Sequence, residues 1–197
     1  MNGTIKILLV ATVAGLAGVA AGLYFNGPGP LLRSELGQRA VKQVLDARAP
    51  AAPPGVAVAE RGGLVPTFDL SDLGGRTVAV PTAYAGRPVL VNLWASWCGP
   101  CIKEMPELDR FAAAQAGQGV QVVGIALDDK AAVEAFLRRT PVRYPILLDT
   151  AGPGDAGVRL GNPSGVLPYS ALIDAQGRLV KERIGPFEAG EIDGWVD

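Results

Sequence analysis

The chain predicts an α/β domain with a mixed central sheet flanked by helices, and three observations carry that reading. Positions 89–93 and 120–125 are near-continuous apolar runs, the pattern of central parallel strands covered on both faces. Helical periodicity over 100–116 and 130–139 alternates with them, as strand-helix-strand crossovers require. Asp174-Ala175-Gln176-Gly177 then separates two further strand runs closely enough for a hairpin, which adds an antiparallel pair. In order, strands are expected over 67–70, 77–80, 89–94, 120–126, 145–148, 169–174 and 179–184. The helices expected are 100–116, 130–139, 156–160 and 188–196. One core suffices for residues 64–197, because no repeat or second linker divides them.

Ahead of that domain, residues 7–25 carry no charge and are rich in Leu, Val, Ala and Gly. The run is long enough for a transmembrane helix, whereas the apolar core of a cleavable signal is about 7–15 residues. Residues 1–26 are therefore expected as an anchor through a lipid bilayer or an uncleaved signal. Val19-Ala20-Ala21-Gly22 also suits a signal peptidase, and the mass of the mature N-terminus distinguishes the two. Gly27-Pro28-Gly29-Pro30 breaks the segment, and Leu32, Leu36, Ala40 and Val44 then recur at helical spacing, as in a short stalk helix. With the Pro/Ala-rich stretch 49–55, residues 27–63 form the stalk and linker. Arg33, Arg39, Lys42 and Arg48 after the anchor argue for a cytoplasmic C-terminal side. Glu35 and Asp46 interrupt that set, and a tethered dithiol suits an oxidising compartment, so the domain is expected outside the membrane.

Trp97-Cys98-Gly99-Pro100-Cys101 holds both cysteines of the chain, directly after Val89-Leu90-Val91-Asn92-Leu93-Trp94. This spacing puts a dithiol at a strand-to-helix junction, with the sulfurs in bonding reach inside the first helical turn. Unpaired N–H groups and the macrodipole at a helix start favour a thiolate, so Cys98 is the expected nucleophile. A free thiol titrates near about 8.5, and such positions lower it enough for attack at neutral pH. Pro100 suits the first turn, and Gly99 lets a partner backbone approach. Zinc is disfavoured because two cysteines and no histidine are half a ligand set. A purely structural bridge would close too short a loop to restrict the unfolded chain much. Neither a metal nor another cofactor is expected, and a net charge of −1 speaks against a nucleic-acid partner.

The stretch from Asn92 to Cys101 resembles the active-site segment of thioredoxin-fold proteins and, more closely, that of the membrane-anchored TlpA/ResA/CcmG group. The likeness extends from Val65 to about Phe187. It includes Pro66-Thr67-Phe68-Asp69-Leu70, Ala85-Gly86-Arg87-Pro88, and Gly165-Val166-Leu167-Pro168-Tyr169 followed by Ile173-Asp174 and Gly177. The resemblance implies a thioredoxin-like three-layer fold and periplasmic thiol-disulfide exchange at the inner membrane, usually reductive. Its substrates would be exported disulfide-bearing proteins, such as apocytochrome c or copper-oxidase assembly partners. Its electron donor would be a membrane thiol transporter of the DsbD or CcdA type.

Carried over by position, the resemblance makes Cys101 the resolving thiol and Pro168 a cis-proline facing the dithiol. Leu167 would then offer its backbone to an extended substrate, and Trp97 would flank the groove. Trp94 alternates toward the core and is read as packing. Glu104 matches an acidic residue near the site in ResA-like members. It is read either as a functional carboxylate, which accepts a proton from Cys101 or raises the cysteine pKa by like-charge repulsion, or as a solvated first-turn glutamate. Thioredoxin carries an aspartate where this chain has Asn92, which favours the first reading. Pro106 is expected inside the helix. Rival functions are less well supplied. A peroxiredoxin-like peroxidase usually has threonine where Ala95 stands, and a metallochaperone for oxidase assembly would show more His or Met ligands than Met1 and Met105.

Overall fold

Apolar side chains on both faces of 89–94 and 121–127 drive these segments to the middle of a sheet. The computed structural model describes residues 29–115, 117 and 119–196, together with Ile5, Ile7, Val10, Ala11 and Gly15. Seven strands form one sheet: β1 (Phe68–Asp72), β2 (Thr77–Val80), β3 (Val89–Trp94), β4 (Gln121–Leu127), β5 (Ile146–Asp149), β6 (Tyr169–Ile173) and β7 (Leu179–Ile184). Their order is β2-β1-β5-β4-β3-β6-β7. The β3–β4 and β4–β5 pairs are parallel and the others antiparallel, so the sheet is mixed as expected. The helices are α1 (Gly29–Arg33), α2 (Glu35–Asp46), α3 (Gly99–Ala114), α4 (Lys130–Leu137), α5 (Ala156–Arg159) and α6 (Glu191–Trp195).

Strand alternation sends Val89, Val91 and Leu93 to one face of β3 and Leu90, Asn92 and Trp94 to the other. The first set packs with Val123, Ile125, Ala156 and Tyr169. On the second face, Leu90 and Trp94 meet Met105, Leu108 and Phe111 of α3, Phe136 of α4 and Ile192 of α6. Trp94 lies 5.3 Å from the Phe136 ring, in the packing role its strand position predicts. Gly124 stands opposite Asn92 in the β3–β4 register. A Cβ there would fall 2.7 Å from Ile146 Cδ1 and 3.1 Å from Tyr144 Cε2, so close approach requires the glycine.

Boundaries move by one to three residues where long-range bonds intervene. The last helix begins at Glu191, not 188, because the preceding turn is held otherwise. Glu188 N–H bonds the Glu191 carboxylate, and Gly190, at φ 77°, donates to Glu107 of α3. Helix α3 runs through Pro106, whose missing N–H leaves the Ile102 carbonyl without its usual helical donor. Ahead of β1, Ala59 N–H bonds the Arg159 carbonyl, and residues 62–65 pair with 177–179 along the edge of β7.

The chain forms two units, residues 1–43 and 44–197. In the first, an Arg39–Glu35 ion pair of 2.7 Å braces α2, and Leu32 and Leu36 are exposed. The anchor expected over 1–26 lies almost entirely outside the described residues. Among those that are described, no helix is long and apolar enough to cross a membrane.

Candidate active site

Strand β3 ends at Trp94 and α3 begins at Gly99, so the four residues between them turn the chain and present the first cysteine. Cys98 is the N-cap of α3, with Pro100 in the first turn. Its Sγ accepts the Cys101 N–H at 3.3 Å, and Ile102 N–H bonds its carbonyl at 3.1 Å. The sulfurs are joined as a disulfide, with Cα atoms 5.3 Å apart. Cys98 keeps 5% exposure and Cys101 none, so of the two cysteines only the first reaches the surface. Around it, Gly99 and Pro100 are exposed, and Trp97 is 70% exposed.

The loop is pinned from the neighbouring strand. Asp128 Oδ2 accepts both Ser96 N–H, at 2.9 Å, and Ser96 Oγ–H, at 2.6 Å. Burial opposes its charge, but the bonds from Ser96 and Asp129 outweigh that and hold its carboxyl below the usual range. No local motif announces this pair. The parallel register Trp94↔Ala126, continued two residues along each strand, is the signal that would have found it.

On the other side, Tyr169 of β6 pairs with Leu93, which brings 167–168 beside the end of β3. The Leu167–Pro168 peptide is cis. Pro168 is buried, Leu167 is half-buried, and no backbone pairing involves Leu167 among the described residues.

Glu104 lies one helical turn behind Cys101 and is 1% exposed, so it is not the solvated glutamate of the alternative reading. Asn92 Nδ2 donates to its Oε1 at 2.8 Å, and Phe187 N–H donates to its Oε2 at 2.8 Å. Asn92 Nδ2 also reaches Ser170 Oγ at 3.1 Å, while its Oδ1 is buried without a hydrogen-bond partner. Burial pushes the Glu104 carboxyl up to about 7, against the pull of those two donors and of the Arg183 charge. Burial also raises Tyr144, with a smaller push from Glu104. A carboxyl balanced near neutrality beside a dithiol is suited to taking and releasing one proton.

The wider comparison agrees with this geometry. Residues 60–194 match the Redoxin family. The chain belongs to that family. It is 30% identical over 138 residues to the thiol-disulfide oxidoreductase ResA of Bacillus thuringiensis (strain Al Hakam), covering 68% of this chain and 76% of that one. It is 29% identical over 150 residues to the sporulation thiol-disulfide oxidoreductase A of Bacillus subtilis (strain 168), covering 73% and 87%. Among solved structures, StoA of Bacillus subtilis superposes with a TM-score of 0.55 at 26% identity, over 68% of this chain and 98% of StoA. A thioredoxin-related protein of Neisseria meningitidis serogroup B does so with a TM-score of 0.57 at 32% identity, over 64% and 95%.

This redoxin is thus a thiol-disulfide oxidoreductase of the TlpA/ResA/CcmG kind, with a thioredoxin-like α/β fold. The redoxin fold gathers the residues singled out from the sequence around the C-terminal end of β3. Cys98, Cys101, Trp97, Gly99 and Pro100 lie on a single loop and helix start, Leu167 and Pro168 beside them, and Glu104 and Asn92 behind.

Proposed function

We propose that this redoxin reduces disulfides of exported proteins from a membrane tether, with its domain on the periplasmic side. The observation that carries the chemistry is the placement of Cys98 at the N-cap of α3 with a buried, near-neutral Glu104 one turn behind Cys101. In the reduced protein the Cys98 thiolate attacks one sulfur of a substrate disulfide. The substrate S–S bond breaks, a Cys98–substrate bond forms, and the released thiolate takes a proton from water. Cys101 then gives its proton to the Glu104 carboxylate and attacks Cys98 Sγ. That closes the Cys98–Cys101 bond and expels the second substrate thiolate, which takes up a proton in turn. Two electrons and two protons have passed to the substrate.

The direction is supported by Gly99-Pro100, the pair that thioredoxin places between its cysteines, whose couple lies near about −270 mV. The uncharged run over 7–25 supports the tether through the lipid bilayer. Likeness to the TlpA/ResA/CcmG group supports apocytochrome c or copper-oxidase assembly partners as substrates. It also supports recharging by a membrane thiol transporter of the DsbD or CcdA type.

Cys101→Ala is expected to retain its substrate as a mixed disulfide on Cys98, visible on non-reducing gels and identified by mass. Recovery of no partner from the reduced variant would contradict substrate reduction. For the topology, protease added to intact spheroplasts should remove the unit over 44–197, and full protection would place it on the other side.

A further inference from the structure

Arg183 sits in β7 at 2% exposure, an uncommon place for a guanidinium. Its Nη1 and Nη2 each meet a Glu191 carboxylate oxygen at 2.9 Å, and Nη2 also donates to the Pro186 carbonyl at 2.9 Å. Its Cζ stacks 4.6 Å over the Phe187 ring. Glu191 in turn accepts Glu188 N–H, and Trp195 meets the Phe187 ring edge-on at 5.2 Å. The turn 186–191 is therefore folded around this one cation. Its Nε–H is buried without a partner, a cost that packed apolar side chains would not carry. The stability of the turn alone is a weak reason for such a group.

What the turn delivers is the Phe187 N–H, whose acceptor is Glu104 Oε2 at 2.8 Å. We propose that Arg183 is a positioning residue for disulfide exchange: it folds the 186–191 turn so that Phe187 N–H caps Glu104, and its charge, offset by Glu191, sets the balance between acid and carboxylate there. The role rests on Glu104 being the proton acceptor of Cys101. The ionisable groups around that carboxyl are Arg183 from β7, Tyr144 ahead of β5, Cys98 and Cys101 on its own helix, and Glu191 of α6 acting through Arg183. Arg183 is the one of these that draws Glu104 toward its charged form.

The test is a carbon-13 NMR titration of the Glu104 carboxyl in the full-length reduced protein, its signal assigned by loss in Glu104→Gln. The pH profile of insulin-disulfide reduction is measured beside it. Arg183→Met should move the midpoint up by about one pH unit. Glu191→Gln, which leaves the cation without its counter-charge, should move it down while the Phe187 amide stays protected from hydrogen exchange. General loosening would admit water and lower both midpoints, so the opposite signs separate positioning from damage. If Arg183→Met does not fold, Glu191→Gln carries the test through a lowered midpoint with the Phe187 amide still protected, which loosening would not leave, and Arg183→Lys, which keeps the charge, should hold the midpoint near the wild-type value. A midpoint unmoved in the folded variants overturns the hold of Arg183 on Glu104. A midpoint that moves while the exchange profile does not overturns Glu104 as the proton acceptor, and with it the link of Arg183 to exchange.

Discussion

Glu104→Gln is expected to stabilise the oxidised protein above pH 7 and to remove a fall in stability that the wild type shows between about pH 4.5 and 7. The folded carboxyl titrates at about 7 against an ordinary 4.5, so between those values the native state holds a proton that the unfolded chain releases. Stability from this group is complete below 4.5 and is lost as pH rises through 7. The interval corresponds to about 3 kcal/mol, or about 10 °C in Tm for a chain of this size. Glutamine fits because the neighbouring amide can turn. Asn92 Oδ1 has no partner now, and after a half-turn it accepts from a glutamine Nε2–H or from the proton of the neutral acid. Ser170 Oγ, now an acceptor from Asn92, can serve as donor instead. The measurement is the difference in Tm between wild type and variant from pH 4 to 8. A difference that stays constant across the range would overturn the assignment.

The same carboxyl marks where local sequence stops being informative. Cys98, Gly99, Pro100 and Cys101 are legible because their chemistry depends on spacing within one turn and on the strand run before it. The sheet is legible for a similar reason, since the continuous apolar runs of β3 and β4 have no other use than burial on both faces. Burial of Glu104 depends instead on Phe187, 83 residues away, and on a turn organised by Arg183 and Glu191. Nothing in the periodicity of α3 separates a solvated first-turn glutamate from one covered by a distant loop. The Ser96–Asp128 clasp is hidden in the same way, because it follows from the parallel register and not from either residue's neighbours. The cis Leu167–Pro168 peptide follows from the family resemblance alone, since a proline opening a strand is ordinarily trans.

Cys98→Ala is expected to lower insulin-disulfide reduction to the background of the reductant alone, while Cys101→Ala keeps the first attack and loses turnover. The asymmetry has two physical sources. Cys98 is the cysteine with exposure to a partner sulfur, and Cys101 is fully enclosed. Cys98 also caps α3, where the Cys101 N–H that its sulfur now accepts would bond a thiolate more strongly, beside the positive end of the helix. Among the described residues no N–H donates to the Cys101 sulfur, so in the proposed exchange this thiol must lose its proton at the moment of resolution, with Glu104 one turn behind it. In the reduced wild type, iodoacetamide at neutral pH should therefore modify Cys98 and spare Cys101, read by peptide mass. Preferential labelling of Cys101, or turnover surviving in Cys98→Ala, would reverse the assignment of nucleophile and resolving thiol.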